Sequence, residues 1–207
     1  MKYLKGIIYA IRLSFVICAI YLLCLGKMDR QVLLWGSLLL TYIPEIFTKI
    51  WKVQVPMGAR VIYTVFLFGS QFLGSFLGAY TYFSWWDVML HSVSGVFIGY
   101  VALIVILAAD KKGTLFKERR IALIVVIIIS VAIASAGIWE MIEFTGDTFF
   151  GTNAQLSSLQ DTMEDIICGT IGGILYAAYT GIIMKSKRRC CIDSLLEING
   201  IYHKKRK

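Results

Sequence analysis

Seven of the 13 acidic residues of this 207-residue chain gather around the ends of its later apolar stretches: Asp87, Glu140, Glu143, Asp147, Asp161, Glu164 and Asp165. His91 joins them and is one of two histidines in the chain. Their spacing is helical. Asp87 and His91 are four apart, Glu140 and Glu143 three apart, and Asp161 and Asp165 four apart, so each pair shares a helix face. Asp147 continues the Glu140 face if that helix persists. No arginine or lysine is close in sequence to neutralise the group. Two carboxylates ~6 Å apart repel by about 3 kcal/mol at an effective dielectric of 20. Acids brought together in this way must bind a cation, share protons, or stay far apart. Carboxylates with one imidazole suit a divalent ion. On this reading Asp87, His91, Glu140 and Asp161 are candidate metal ligands. Glu143 and Asp165 are candidate proton carriers, the catalytic acid and base of the site.

Helix capping is the structural alternative. Asp161-Thr162-Met163-Glu164 reads as a capping box opening a helix, and Ser84 with Asp87 can open another. Capping does not account for Glu140 and Glu143. They fall near the C-terminal end of their apolar stretch, where the helix dipole opposes a carboxylate. Acids there must face a bundle interior and be paired.

The elements that position these residues are read from composition. The chain is 58% hydrophobic and only 16% charged, with a mean hydropathy of +0.73. That is too few charges to clothe a soluble domain of this size. Two prolines exclude a proline-rich repeat, and five cysteines without paired spacing exclude a disulfide scaffold or zinc finger. The expected fold is an all-α polytopic membrane bundle. Six apolar runs are long enough to cross a bilayer, at about 6–25, 32–50, 60–83, 88–109, 121–143 and 161–184. They form one membrane domain over 1–184, followed by a basic tail over 185–207. No small-residue cleavage pattern follows the first run, so it reads as a retained helix.

Nineteen of the 21 basic residues fall on one side of a six-span topology, which makes both termini and the 110–120 loop cytoplasmic. The acidic group then faces outward. The net charge of +8 is thus a matter of topology and anionic lipid, and not of nucleic-acid binding. Arg12 is expected to snorkel to the near interface, Pro44 to kink the second run, and Glu45 to sit at the interface near Lys49 and Lys52. Glycines four apart, Gly74/Gly78, Gly95/Gly99 and Gly169/Gly173, predict close packing of the third, fourth and sixth runs. Residues 192–202 read as an interfacial helix with Leu195, Leu196 and Ile198 toward lipid. Cys190 and Cys191 beside the basic patch read as a reduced cytoplasmic pair.

The pattern Trp85-Trp86-Asp87-x3-His91-x3-Gly95, Glu140-x2-Glu143, Asp161-x3-Asp165-x3-Gly169 resembles the YjdF-like predicted bacterial membrane proteins of unknown function, over roughly residues 30–184. A looser similarity runs to VanZ-like membrane proteins, whose pattern matches Asp87, His91, Glu140, Asp161 and Gly172–Gly173 in type. Glu143 and Asp165 depart from that pattern by placing acids where it has amides. Neither resemblance supplies a reaction. Several enzyme signatures are absent: the CDP-alcohol phosphotransferase motif, His-Glu-x2-His, paired Glu-x2-His and a phosphate-binding glycine loop. Two function classes stand. One is a metal-dependent hydrolase or transferase acting on a lipid or lipid-linked phosphate. The other is a non-enzymatic module that binds or transports a cation or protons.

Overall fold

The computed structural model describes residues 2–28, 30–156, 158–186 and 191–201. The basic residues Lys187 to Arg189 and Lys204 to Lys207, together with Cys190 and the side chain of Cys191, lie outside the described residues. Among the described residues every regular element is helical. The chain divides into two compact units, Met1–Trp86 and Asp87–Lys207.

The first unit holds α1 (Lys2–Cys24), α2 (Gln31–Leu40), α3 (Ile43–Trp51), α4 (Met57–Leu67), a π-helical stretch (Phe68–Phe76) and the short α5 (Ala79–Tyr82). The second apolar run is indeed bent: α2 and α3 meet at 41°. Pro44, in the first turn of α3, lacks the N–H that would continue the ladder. The third run, expected as one span over 60–83, is broken. α4 passes directly into the π-helical stretch, which Gly78 ends in a left-handed conformation at φ +83°. Gly74 and Gly78 take the rings of Tyr80 and Tyr82 against their Cα atoms within this unit. Phe15, Ala19, Leu34 and Phe72 form the core, with the Phe15 ring edge-on to Phe72 at 5.4 Å.

Two expectations for this unit are corrected. Arg12 does not snorkel. Its side chain is 11% exposed and donates to Thr41 Oγ1 and Thr41 O, both at 2.9 Å, and to Glu45 Oε1 at 3.1 Å. Glu45 therefore pairs with Arg12, and with Arg60 at 4.0 Å, where sequence proximity had suggested Lys49 and Lys52. An acid and a base placed in an apolar unit are cheapest when they satisfy each other.

The second unit is built on α6 (Trp85–Ala109), α8 (Ile121–Phe150) and α9 (Leu159–Lys185), with the short α7 (Thr114–Lys117) and α10 (Cys191–Ile198) at one end. Each long helix is apolar on nearly every face, which suits a lipid surround. With α1 they make, among the described residues, four helices long and apolar enough to cross a membrane, or five spans if α2 and α3 count as one. The connections are tied down locally. Asp110 Oδ2 accepts from Leu115 N–H at 2.8 Å, and Arg119 donates to the Met184 carbonyl, fastening the 110–120 loop to the end of α9. Ile201 lies on the Cα of Gly113. Leu195 and Leu196 of α10 are fully buried, which corrects the expectation that they face lipid; Ile198 is half exposed.

The three long helices run alternately, so the start of α6, the end of α8 and the start of α9 share one end of the bundle. Small residues set their contact. A Cβ on Gly95 would strike the Gly169 carbonyl, and one on Gly172 the Ser92 carbonyl. On the α8 side, Ala136 Cβ lies 3.3 Å from the Cβ position of Gly169, and Ala132 closes on Gly173. The backbones of α6 and α9 therefore touch, with α8 packed against α9 through methyl groups.

Candidate functional site

The three helices meet at Gly95, Ala136 and Gly169, and each has a titratable residue four positions away toward the same end of the bundle. Those residues are His91, Glu140 and Asp165. The close approach one turn below is what carries side chains from separate helices into a common space. His91 Nε2 lies 3.4 Å from Asp87 Oδ1 on its own helix and 3.5 Å from Asp165 Oδ2 across the α6–α9 contact. The Asp165 side chain is 3% exposed and that of His91 12%. Glu140 and Asp161 stand within electrostatic range of His91.

Burial here is not matched by hydrogen bonding. Glu140 Oε1, Asp161 Oδ2 and Asp165 Oδ2 are each sealed from solvent without a hydrogen-bond partner. Leaving a buried polar atom unsatisfied costs about 1–3 kcal/mol, more for a charged group. Other oxygens of the cluster are held. Gln155 Nε2 donates to Glu140 Oε2 at 3.3 Å and to Thr162 Oγ1 at 3.0 Å. Trp139 Nε1 donates to Glu143 Oε1 at 2.7 Å.

Two sets of donors fall within one ion's reach. Asp87, His91 and Asp165 bring one ligand atom each to within 4.8 Å of one another, and so do Glu140, Glu143 and Asp165. Asp165, considered from spacing as a proton carrier, belongs to both sets. Asp161, considered as a ligand, belongs to neither, although it lies on the same face of α9.

The remaining acids have other work. The α9 N-cap is Ser158, whose side chain accepts from Asp161 N–H at 3.3 Å. Asp161 is thus not the cap that the Asp-x2-Glu spacing suggested, because the helix begins a turn earlier and leaves its carboxylate free to turn inward. Glu164 is exposed and accepts from Gln160 at 2.6 Å. α8 extends to Phe150, beyond the expected end at 143. Asp147 there accepts from Thr152 Oγ1 and from the N–H groups of Ala154 at 2.8 Å and Gln155 at 3.0 Å. This loop clasp delivers the Gln155 amide to Glu140. Sequence reasoning missed Gln155, Trp139 and Thr162. Trp139 lies four residues before Glu143, a helical spacing that offered a signal; Gln155 sits in an irregular loop that offered none.

Cysteines 18, 24 and 168 carry free thiols and none belongs to either donor set. The Ser94 hydroxyl, on the helix that carries His91, donates back to the His91 carbonyl at 2.7 Å.

Comparison with known proteins agrees with this architecture. A family model described as a predicted membrane protein (DUF2238) matches residues 7–186, which takes in every residue of the acidic cluster. An uncharacterized protein of Thermotoga maritima is 27% identical over 143 residues, covering 67% of this chain and 72% of that protein. No solved structure matches. The chain belongs to the DUF2238 family of predicted membrane proteins.

Proposed function

We propose that this protein holds a divalent cation where α6, α8 and α9 converge, and uses it on the phosphate of a lipid or lipid-linked substrate. The observation that carries the reading is Asp165. Its carboxylate is buried, one oxygen has no hydrogen-bond partner, and it is shared by both donor sets. A cation answers that arrangement better than more packing does, since of the described residues His91 is the one basic group set among Asp87, Glu140, Glu143 and Asp165, and buried carboxylates in excess of their counter-charge are among the costliest groups in a membrane protein. Asp87, His91 and Asp165 are the ligands on α6 and α9, with Glu140 and Glu143 on α8. Asp161, with its own orphan oxygen outside both sets, is then the proton carrier. This exchanges the roles that spacing alone gives to Asp161 and Asp165, and moves Glu143 from proton carrier to ligand. A bound divalent ion polarises a phosphoryl oxygen and lowers the pKa of water.

The site opens to the extracytoplasmic side on this reading. The α4 and π-helical segment supplies the sixth crossing, and both termini are cytoplasmic. The bond from Arg119 to Met184, which joins the basic loop to the start of the basic tail at the end opposite the acids, supports it. The likeness to YjdF-like membrane proteins accords with the same arrangement of acids.

The test is thermal melting of the purified protein in detergent, with chelator and then with Mg2+, Ca2+, Mn2+ or Zn2+. An ion at 100 times its Kd stabilises by about 2.7 kcal/mol, a readable rise in midpoint. Asp165→Asn should lose that rise. A wild-type midpoint unmoved by every ion, beside an Asp165→Asn protein that melts higher, would replace the cation with shared protons. Ion-dependent release of phosphate from lipid phosphates in micelles then separates an enzyme from a binding module.

A further inference from the structure

We propose that the site takes two divalent cations, bridged by Asp165. The inference rests on the cation reading above and extends it from one ion to a pair. Its first ground is the division of the donors. One set is Asp87, His91 and Asp165, the other Glu140, Glu143 and Asp165, and only Asp165 is common. A carboxylate has two oxygens and bridges ions about 3.5–4 Å apart, the separation used to clamp attacking and leaving oxygens in phosphoryl chemistry.

The second ground is burial without a hydrogen bond, at the bridge itself and in the carboxylate set. Asp165 Oδ2 and Glu140 Oε1 are sealed without a hydrogen bond, Asp165 Oδ2 having His91 Nε2 beside it at 3.5 Å, and Glu140 is 5% exposed. A single ion held by the histidine set leaves the Glu140 oxygen orphaned; a single ion in the carboxylate set leaves His91 and Asp87 with each other at 3.4 Å and the second donor set unused.

Charge is the third. Asp87, Glu140, Glu143 and Asp165 carry four negative charges when ionised, and two divalent cations neutralise them. The sequence has no lysine or arginine between Arg60 and Lys111, nor between Arg120 and Lys185, so α6, α8 and α9 bring no lysine or arginine to this end and His91 stands against four carboxylates.

The two positions differ in chemistry. Imidazole with two carboxylates suits Zn2+, Mn2+ or Fe2+, whereas three carboxylates suit Mg2+, Ca2+ or Mn2+. Mn2+ fits both and is the probe of choice. Three protein ligands at each ion leave positions for water or a phosphate oxygen.

The experiment is equilibrium dialysis of the full chain in detergent against Mn2+, followed by elemental analysis. Two Mn2+ per chain are expected for the wild type, one for His91→Gln, one for Glu143→Gln and none for Asp165→Asn. The wild type is also examined by electron paramagnetic resonance, a reading that does not depend on any variant folding. Two bridged Mn2+ ions give an exchange-broadened spectrum, and an isolated ion gives six sharp lines. One Mn2+ per chain with six sharp lines overturns the pair and leaves the single-ion reading standing. No bound Mn2+, Zn2+ or Mg2+ overturns both. Two Mn2+ retained by Asp165→Asn overturns the bridge.

Discussion

Asp165 Oδ2 and His91 Nε2 face each other at 3.5 Å across two helices whose backbones touch one turn away, at Gly95 and Gly169. The glycine contact and the polar contact are parts of one device. A glycine at 95 sets the interhelical distance, and that distance determines whether α6 and α9 place their donors around the same point.

Gly95→Ala should therefore do more than destabilise. The added methyl meets backbone, which cannot rotate away as a side chain can, and overpacking costs typically about 1–3 kcal/mol. The variant should melt lower and lose its response to divalent ions. Gly137→Ala, with no atom within 4 Å of its Cβ position, should do neither. Melting of both variants with and without Mn2+ makes the comparison.

Ser158 and Asp161 divide capping from function at the start of α9. Ser158→Ala removes the side chain that accepts from Asp161 N–H and should cost about 1 kcal/mol of helix stability. Asp161→Asn leaves that bond intact, so hydrogen exchange in the first turn of α9 should hardly change. If the proposed function holds, with the Asp161 carboxylate as proton carrier, turnover should fall. Protection lost in Asp161→Asn but kept in Ser158→Ala would reverse the assignment.

In the first unit the Arg12–Glu45 pair is a packing device with strict geometry. Arg12 donates to Thr41 and Glu45 and lies over the Tyr42 ring, 3.7 Å from its centroid. Lysine keeps the charge and loses both the planar fork and the stacking. Arg12→Lys should accordingly destabilise nearly as much as Arg12→Gln, by about 1.5–3 kcal/mol for a charged hydrogen bond lost. A lysine variant that melts like the wild type would show that charge alone suffices.

Sidedness is read by cysteine labelling in intact cells after the native cysteines are removed. A cysteine at Asn153, in the loop beside the acids, should react with an impermeant reagent, and one at Lys112 should not. The opposite pattern would invert the topology.

Much of this arrangement was legible in the sequence because helical periodicity is local. Asp87 with His91 and Asp161 with Asp165 share faces by spacing alone, and the glycines marked the α6–α9 contact. Ala136 went unread because alanine in an apolar helix has no contrast with its neighbours. Spacing fixes which residues share a face of one helix, but not how far that face is turned toward the next. The ranking of Asp165 over Asp161 therefore waited on the structure. Contacts between distant segments were equally hidden: Arg12 with Glu45, and Gln155 with Glu140, depend on how separate pieces of chain pack. The break in the third run was obscured because glycine is common in membrane helices, and only its positive φ at Gly78 marks the end of the stretch.

The central claim is that a divalent ion sits against Asp165. Anomalous scattering from crystals of the full chain soaked in Mn2+, collected in lipid on both sides of the manganese edge, addresses it most directly. The account predicts anomalous density about 2–2.6 Å from an Asp165 carboxylate oxygen, with donors from α6 and α8 completing the shell. Well-ordered Asp165, His91 and Glu140 side chains with no anomalous density between them would contradict it.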